Sequence, residues 1–440
     1  MKLHIFEKFD YVLIICVLLL TTCGIFFIYS SGINSDGALV SREFSRQIMW
    51  TAIGFIVMIL ATLFDFRRLK RYAPQIFVFI ILVLLYTKFF GKKVNGARSW
   101  LGFGRLGIQP SEPCKLCYII FLAKYLEQSV NSQPLKRFVT AMAIMLLPMG
   151  LILIQPDFGT ATVYIPIFLS MCFFADVSKK YLLIFLGVGF STVMFTVLPI
   201  WESEILHKSI PLISVLTMPK LRMLVTVGCL AVTILLTFGL YLYKQKYLYY
   251  MALCFAIITA GLIFSLGTGK VLKPYQIQRL IVFIDPYSDP RGAGWNIIQS
   301  KIAIGSGGIW GRGFLRGTQS HLRFLPEQST DFIFSIFSEE SGFAGGVLLF
   351  SVFALIMFRC LTIIKHTSNV YGILIVAGIL GMFIYHFVLN VGMVMGIMPV
   401  AGIPLPFLSY GGSALLTNMA AVGLLMSVRA RKLDFNETIL

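Results

Sequence analysis

Charge is scarce in this chain. Only 13% of its 440 residues are Asp, Glu, Lys or Arg, the acidic ones number 19 against 37 basic ones, and His occurs five times. With 58% hydrophobic residues and a mean hydropathy of +0.85, the composition excludes an ordinary soluble globular protein. Nor is there a basic stretch interleaved with aromatics in a soluble region, which sets nucleic-acid binding aside. The short alternating strands of a membrane β-barrel are missing too, so backbone polar groups must be satisfied within helices. Cysteine pairs are almost missing: of eight cysteines only "CKLC" at 114–117 has metal or redox spacing. It has no second pair and no nearby His, and it reads as small buried hydrophobes, so neither a disulfide framework nor a cysteine metal cluster is expected.

What the chain does have is apolar runs of about 20 residues, the length that crosses a hydrocarbon core as a helix. They fall near 11–30, 47–65, 73–90, 111–129, 138–156, 158–176, 181–200, 221–243, 247–267, 332–358, 371–397 and 405–428. The expectation is an all-α, polytopic membrane bundle of about twelve spans. The first run is longer than about 15 residues and ends in no small-x-small pattern, so it is expected to persist as a helix rather than be cleaved.

Lys and Arg set the orientation. Alternate loops hold Arg67, Arg68, Lys70 and Arg71, then Lys136 and Arg137, Lys179 and Lys180, Lys244 and Lys246, Arg359 and Lys365, and Arg429, Arg431 and Lys432. Those loops and both termini are expected in the cytoplasm, and the net charge of +18 reads as topology plus attraction to anionic membrane lipids.

On the other side the sequence is unusual. The loop 91–110, "GKKVNGARSWLGFGRLGIQP", carries Lys92, Lys93, Arg98 and Arg105 against the positive-inside trend. It reads either as an interfacial hairpin with Trp100, Leu101 and Phe103 in the headgroups, or as a site for an anion. "QPSEPCKL" follows, in which Pro110 and Pro113 suit a first helical turn and Ser111 can cap it. Glu112 and Lys115, three apart, face one side and can pair just below the outer surface, as a structural stitch or as the lining of a polar cavity. At "IQPDFGT", 154–160, Asp157 reads as a helix cap or a site residue. "GIMPVAGIPLPFLSYGGS" at 396–413 predicts a broken, re-entrant backbone, tolerated only against protein or a wet cavity.

The longest outer segment, 268–331, opens with "IDPYSDPRGAGWN" at 284–296. Its Asp-Pro pairs read as turn initiators, with Asp285, and after it Asp289, as candidate carboxylates at the membrane surface. The glycines at 305, 307, 308, 311 and 313 form no nucleotide loop, because no Gly-Lys-Ser/Thr follows, and serve tight turns instead. Lys301, Arg312, Arg316, His321 and Arg323 again place cations outside.

The ordered strings "NGARSWLGFG", "IQPSEPCKL", "QPDFGT", "DPYSDPRGAGWNIIQSKIAIGSGGIWGRGFLRGTQSHLRFLPEQSTDFIF" and "PLPFLSYGGS" resemble the SEDS family of shape, elongation, division and sporulation proteins. "GTQSHLRFLPEQSTDFIF" is similar to the rod-shape branch of that family rather than the division branch. The resemblance implies a peptidoglycan glycosyltransferase that polymerises lipid II into growing glycan chains outside the bacterial cytoplasmic membrane. Its implied partners are a class B penicillin-binding protein that crosslinks the strands and the elongation machinery. By this resemblance the essential loop aspartate falls on Asp285, the acid and base at the top of the fourth span on Glu112 and Lys115, and the Thr-Asp-Phe motif on Thr330 and Asp331. Two departures stand out: Ser329 occupies a position that is usually His, and 201–267 is expected to hold a helical pair inserted into a family bundle of ten spans. The whole of 1–440 is expected to form one membrane domain, with 268–331 as its large extracytoplasmic loop.

The implied reaction needs a base near the acceptor hydroxyl and cations near the leaving pyrophosphate. Asp285 is the candidate catalytic base. Arg98, Lys115 and Arg312 are the candidate pyrophosphate contacts, and Asp157 joins Glu112, Thr330 and Asp331 as a candidate substrate-binding residue. No organic cofactor is expected; a divalent cation, Mg²⁺ or Mn²⁺, bridging Asp285 and pyrophosphate fits hard oxygen donors. A lipid II flippase would instead show ionisable residues at mid-membrane and inverted repeats, and a scaffold would not need acid, base and broken backbone gathered on one face.

Overall fold

The structure is a computed structural model that describes residues 9–34, 37–94, 97–102, 107–202, 210–271, 274–292, 294–322 and 324–431. Phe103, Arg105, Arg323 and Lys432, each given a place above, lie outside the described residues. In chain order the helices are α1 (Tyr11–Ser31), α2 (Glu43–Leu63), α3 (Phe66–Phe90), α4 (Ser111–Gln128), α5 (Pro134–Ile154), α6 (Phe158–Thr162) and α7 (Tyr164–Phe174). There follow α8 (Lys179–Trp201), α9 (Pro211–Thr217), α10 (Pro219–Tyr243), α11 (Lys246–Val271), α12 (Pro274–Ile284) and α13 (Trp295–Ser306). The last are α14 (Thr318–His321), α15 (Ile333–His366), α16 (Val370–Val394) and α17 (Gly412–Ala430). A short antiparallel hairpin, β1 (Lys92–Val94) with β2 (Ala97–Trp100), interrupts an otherwise helical chain.

Among the described residues ten helices are long and apolar enough to cross a membrane, so the protein is a multi-pass membrane protein. Each of the expected runs carries a helix, but two fall short of that standard. Helix α4 is diluted by Glu112, Lys115, Lys124 and Glu127. The run 158–176 is divided into α6 and α7 around Val163. Pro166 has no N–H to offer the Thr162 carbonyl, which weakens the ladder at that point.

The chain divides into two compact units, Met1–Val177 with Gln299–Leu440, and Ser178–Ile298. In the first, α16 and α17 are central: every residue from Leu374 to Phe383, and most of α17, is buried. Close approach depends on small residues. A Cβ at Gly423 of α17 would meet the Met58 carbonyl of α2 at 2.5 Å, and one at Gly381 of α16 would meet the Pro166 carbonyl of α7 at 2.8 Å. At one end of this unit the buried Asp10 carboxylate accepts from Arg359 at 2.8 and 2.9 Å and from Arg429, tying α1 to α15 and α17.

In the second unit α11 packs against both α8 and α10. Ser191 Oγ donates to the Ile257 carbonyl at 3.3 Å, Thr233 and Thr259 hydroxyls meet at 3.2 Å, and Arg222 donates to Ser265 Oγ at 2.7 Å. The stretch 201–267, expected to hold a helical pair, carries α10 and most of α11. The stretch 268–331 holds the end of α11, then α12, α13 and α14.

Candidate functional site

In the first unit the candidate residues converge where α4, α6, α16 and the 396–411 segment meet. Helix α4 starts after Pro110, whose backbone has no donor to lose. Ser111 does not cap it: its buried hydroxyl has no partner among the described residues. One turn in, Lys115 Nζ lies 2.8 Å from Glu112 Oε2, with side chains 1% and 5% exposed. The ammonium also lies 3.3 Å from Nε2 of His386, a fully buried residue of α16. An ammonium only donates, so Nε2 accepts and the ring proton sits on Nδ1, which has no partner among the described residues. The acid, the base and the imidazole thus form one buried polar row.

One turn along α16, Asn390 Nδ2 donates to the Asp331 carbonyl at 3.0 Å and to the Ile403 carbonyl at 2.8 Å. It pins the Thr330–Asp331 segment and the Pro/Gly-rich segment onto the same helix. The Tyr410 amide donates to the Ser329 carbonyl at 2.9 Å, adding a second tie. Gly402, at φ +69°, lets the backbone turn beside the Asp331 carboxylate. The segment 396–411 is irregular, as expected, so α17 begins at Gly412 rather than at 405.

Asp157 is the helix cap that one of its two readings expected. Its carboxylate caps α6 through the Thr160 amide at 3.1 Å and the Thr160 hydroxyl at 2.9 Å, and it accepts from Gln109 Nε2 at 2.7 Å. The Gln109 amide in turn donates to Ser413 Oγ at 2.9 Å, so this residue links Asp157 to the head of α17.

Arg98 and Arg312 stand outside that row. Arg98 is exposed on the hairpin and donates to the Phe89 carbonyl at 3.2 Å. Arg312 is exposed and donates to Thr318 Oγ1 at 3.0 Å. Its segment is threaded into α15: the amides of Arg312 and Gly313 take the Glu339 and Glu340 carbonyls, while those of Phe343 and Ala344 go to Gly308 and Ile309. The helix is broken at Gly342, φ +65° and ψ −165°, to admit these bonds. Glu339 and Glu340 are buried. Glu339 accepts from the Thr318 and Gln319 amides at 2.7 and 3.0 Å, and Glu340 from Ser30 Oγ and the Leu315 amide.

Asp285 belongs to the second unit. It ends α12 and caps the turn 286–288, with Oδ1 accepting from the Tyr287 amide at 2.9 Å. It is half-buried, and Oδ2 makes no hydrogen bond among the described residues. Asp289 accepts from Gln278 Nε2 at 2.9 Å, and its carbonyl takes the Gly292 and Gly294 amides. A Cβ at Gly294 would lie 2.1 Å from the Pro286 carbonyl, so the turn closes only on glycine. Among the described residues no three His, Cys, Asp or Glu side chains converge as metal ligands.

Sequence reasoning passed over His386, Asn390, Glu339 and Glu340, and the signal was present: these are polar side chains inside apolar runs, where polar groups are costly. His386 and Asn390 are also four apart and share one helix face.

The family of FtsW, RodA and SpoVE cell cycle proteins matches residues 10–207 and 202–433. The chain is 49% identical over 433 residues to peptidoglycan glycosyltransferase RodA of Treponema pallidum, covering 98% of this chain and 100% of that protein. It is 31% identical to peptidoglycan glycosyltransferase MrdB of Escherichia coli, covering 90% and 87%. Among solved structures it resembles a chain from a peptidoglycan synthase complex that coordinates polymerization and crosslinking, at TM-score 0.65 and 26% identity, covering 96% of this chain and 98% of that one. The rod-shape-determining protein RodA of Thermus thermophilus shares the fold at TM-score 0.57, with coverage of 96% and 97%. The chain therefore belongs to the FtsW, RodA and SpoVE family, the SEDS family whose motifs it carries.

Proposed function

We propose that the chain is a peptidoglycan glycosyltransferase that polymerises lipid II during cell elongation, with its chemistry on the outer face of the bacterial cytoplasmic membrane and both termini inside. The buried Glu112, Lys115 and His386 row carries this reading. A membrane bundle keeps ionisable side chains inside when a polar ligand or reaction needs them, and the helix that carries His386 also holds the broken 396–411 segment, through Asn390 and the Ile403 carbonyl. The 49% identity to a peptidoglycan glycosyltransferase over nearly the whole chain supports the same conclusion.

In the proposed reaction a sugar hydroxyl of one lipid-linked chain attacks the anomeric carbon of another. The new glycosidic bond forms as the bond from that carbon to undecaprenyl pyrophosphate breaks, and the leaving group takes the electron pair. Asp285 accepts the hydroxyl proton; its unbonded Oδ2 is the oxygen available for it. Arg98, Arg312 and Lys115 are the cations proposed to offset charge on the pyrophosphate. Glu112, Asp157, Thr330 and Asp331 are the residues proposed to contact the sugar. The chain offers no cage for Mg²⁺ or Mn²⁺ among its described residues, so a divalent ion would be held by Asp285 together with substrate oxygens. The likeness to a synthase complex supports a class B penicillin-binding protein as the working partner.

The test is to add labelled lipid II to the purified protein with its cognate transpeptidase, whose crosslinking is blocked by a β-lactam. Glycan chains on a gel support the polymerase. If lipid II crosses a vesicle bilayer and no chains form, the flippase reading replaces it.

A further inference from the structure

Within the stretch 268–331, expected to lie wholly outside the membrane, the tip "GGIWGRGFL" at 307–315 carries apolar side chains that water does not reward. Trp310 is 82% exposed and Ile309 65%, and Phe314 and Leu315 beside them are exposed as well. The proposed chemistry uses none of the four. Two helices of the first unit measure where this tip lies, and their common origin is the ion pair of Asp10, at the start of α1, with Arg359 of α15. Charges of this kind mark the edge of the hydrocarbon.

Along α15, the Phe343 amide donates to the Gly308 carbonyl at 2.9 Å and the Ala344 amide to the Ile309 carbonyl at 3.0 Å. Phe343 lies sixteen residues from Arg359 with unbroken helix between them, a rise of about 24 Å. Along α1, the Phe314 ring meets those of Phe26 and Phe27 edge-on, each at 6.0 Å between centroids. Phe26 lies sixteen residues from Asp10, again a rise of about 24 Å. A hydrocarbon core is about 30 Å thick and helix tilt only lowers these heights, so the tip lies inside the far edge of the hydrocarbon rather than above it.

The backbone bonding fits that depth. A loop in water leaves its N–H and C=O groups to solvent, whereas non-helical backbone at membrane depth must bond within the protein. Besides the two carbonyls paired with α15, the Arg312 and Gly313 amides donate to the Glu339 and Glu340 carbonyls at 3.0 Å each. The Gly311 amide donates to the Gly307 carbonyl at 2.8 Å, and the Leu315 amide to Glu340 Oε2 at 3.2 Å. The approach needs glycine: a Cβ at Gly307 would lie 2.1 Å from the Ser338 carbonyl. Phe343, whose amide holds the tip, is itself exposed, so the tip runs beside a lipid-facing stretch of α15.

We propose that 308–315 is a re-entrant hairpin embedded in the leaflet opposite the Asp10 end, the outer one by the orientation proposed above. Ile309 and Trp310 rest at the boundary of acyl chains and headgroups, where indole rings partition. Arg312, two residues on, is thereby kept at the height of lipid phosphates, where the pyrophosphate contact proposed for it is needed. That consequence rests on the glycosyltransferase reading; the anchor itself does not.

The test places the full-length protein in nanodiscs and reads the fluorescence that Trp310→Phe removes, since the chain has five tryptophans. The quenchers are lipids brominated near the headgroup end of the acyl chain, lipids brominated near its terminus, and acrylamide in the water. The lost component is expected to be quenched about twofold more by shallow than by deep bromine, and more by either than by acrylamide. Ile309→Trp in the Trp310→Phe background is expected to restore it, and both variants to unfold at the wild-type temperature. Quenching by acrylamide alone puts the tip in water and overturns the proposal. Resistance to all three quenchers also overturns it, because protein then covers the ring. None of these readings needs glycan synthesis, so an inactive protein counts against the polymerase reading and leaves the anchor standing.

Discussion

At the scale of single residues, the pairing of Glu112 with Lys115 makes the sharpest claim about energetics. Both are buried, and removing one partner leaves an unpaired charge, which costs about 3 to 5 kcal/mol. Lys115→Met is therefore expected to unfold at clearly lower temperature and to make no glycan chains. The double variant Glu112→Gln, Lys115→Met is expected to recover most of the stability and none of the activity, since a neutral pair needs no compensation but offers no charge to a substrate. Thermal unfolding in detergent beside the lipid II gel separates the two effects; normal chains from Lys115→Met would contradict the assignment. This pair was legible in the sequence because i, i+3 spacing on a helix needs no knowledge of the fold. The third member, His386, was not, since it comes from a helix about 270 positions away and only packing brings it to Lys115.

At the scale of elements, the break in α15 shows what an apolar run cannot report. The run from 332 reads as one span, yet the helix gives up its own bonds at 339–344 to a loop whose glycines allow contact. A Cβ on Gly342 would meet the Gly311 nitrogen at 2.2 Å, and one on Gly311 would meet the Glu340 carbonyl at 2.1 Å. Gly342→Ala and Gly311→Ala are each expected to destabilise by more than about 2 kcal/mol, from clash and a left-handed backbone together. Gly346→Ala, with nothing within 4 Å, is expected to be neutral or slightly stabilising. Similar melting temperatures for all three would show that the loop does not sit where the structure places it. Helix ends also differ from run ends for a physical reason. Helix α15 continues through Arg359 to His366 because the ladder does not stop where hydrocarbon stops, and α17 starts late because Phe407 is held at φ +65°, which a right-handed helix cannot contain.

At the scale of the whole molecule, two ends of the first unit are held by different chemistry. One has the Asp10 triad and Arg431 bonded to the Leu63 carbonyl at 2.7 Å; the other has the bond from Gln109 to Asp157 and, separately, the ties from Asn390 to the Asp331 and Ile403 carbonyls. Asp10 is 1% exposed, so Asp10→Asn leaves two arginines facing one neutral group and is expected to cost about 3 kcal/mol of stability. Its effect on glycan synthesis should track the fraction folded, unlike that of a residue in the reaction; a folded but inactive Asp10→Asn would contradict this division. The helical class, the number of apolar runs and the motif strings were readable because each is a local pattern. The bond from Gln109 to Asp157 was not, because it joins segments distant in sequence.

The measurement that bears most directly on the account compares wild type with Asp285→Asn, each purified with the cognate class B penicillin-binding protein and supplied with labelled lipid II. Asn keeps an oxygen to accept from the Tyr287 amide, so the turn is expected to survive while the proton acceptor is lost. The account predicts glycan chains from wild type and none from Asp285→Asn at equal folded concentration. Chains of equal yield from both would reduce Asp285 to a turn former and contradict its role as the base.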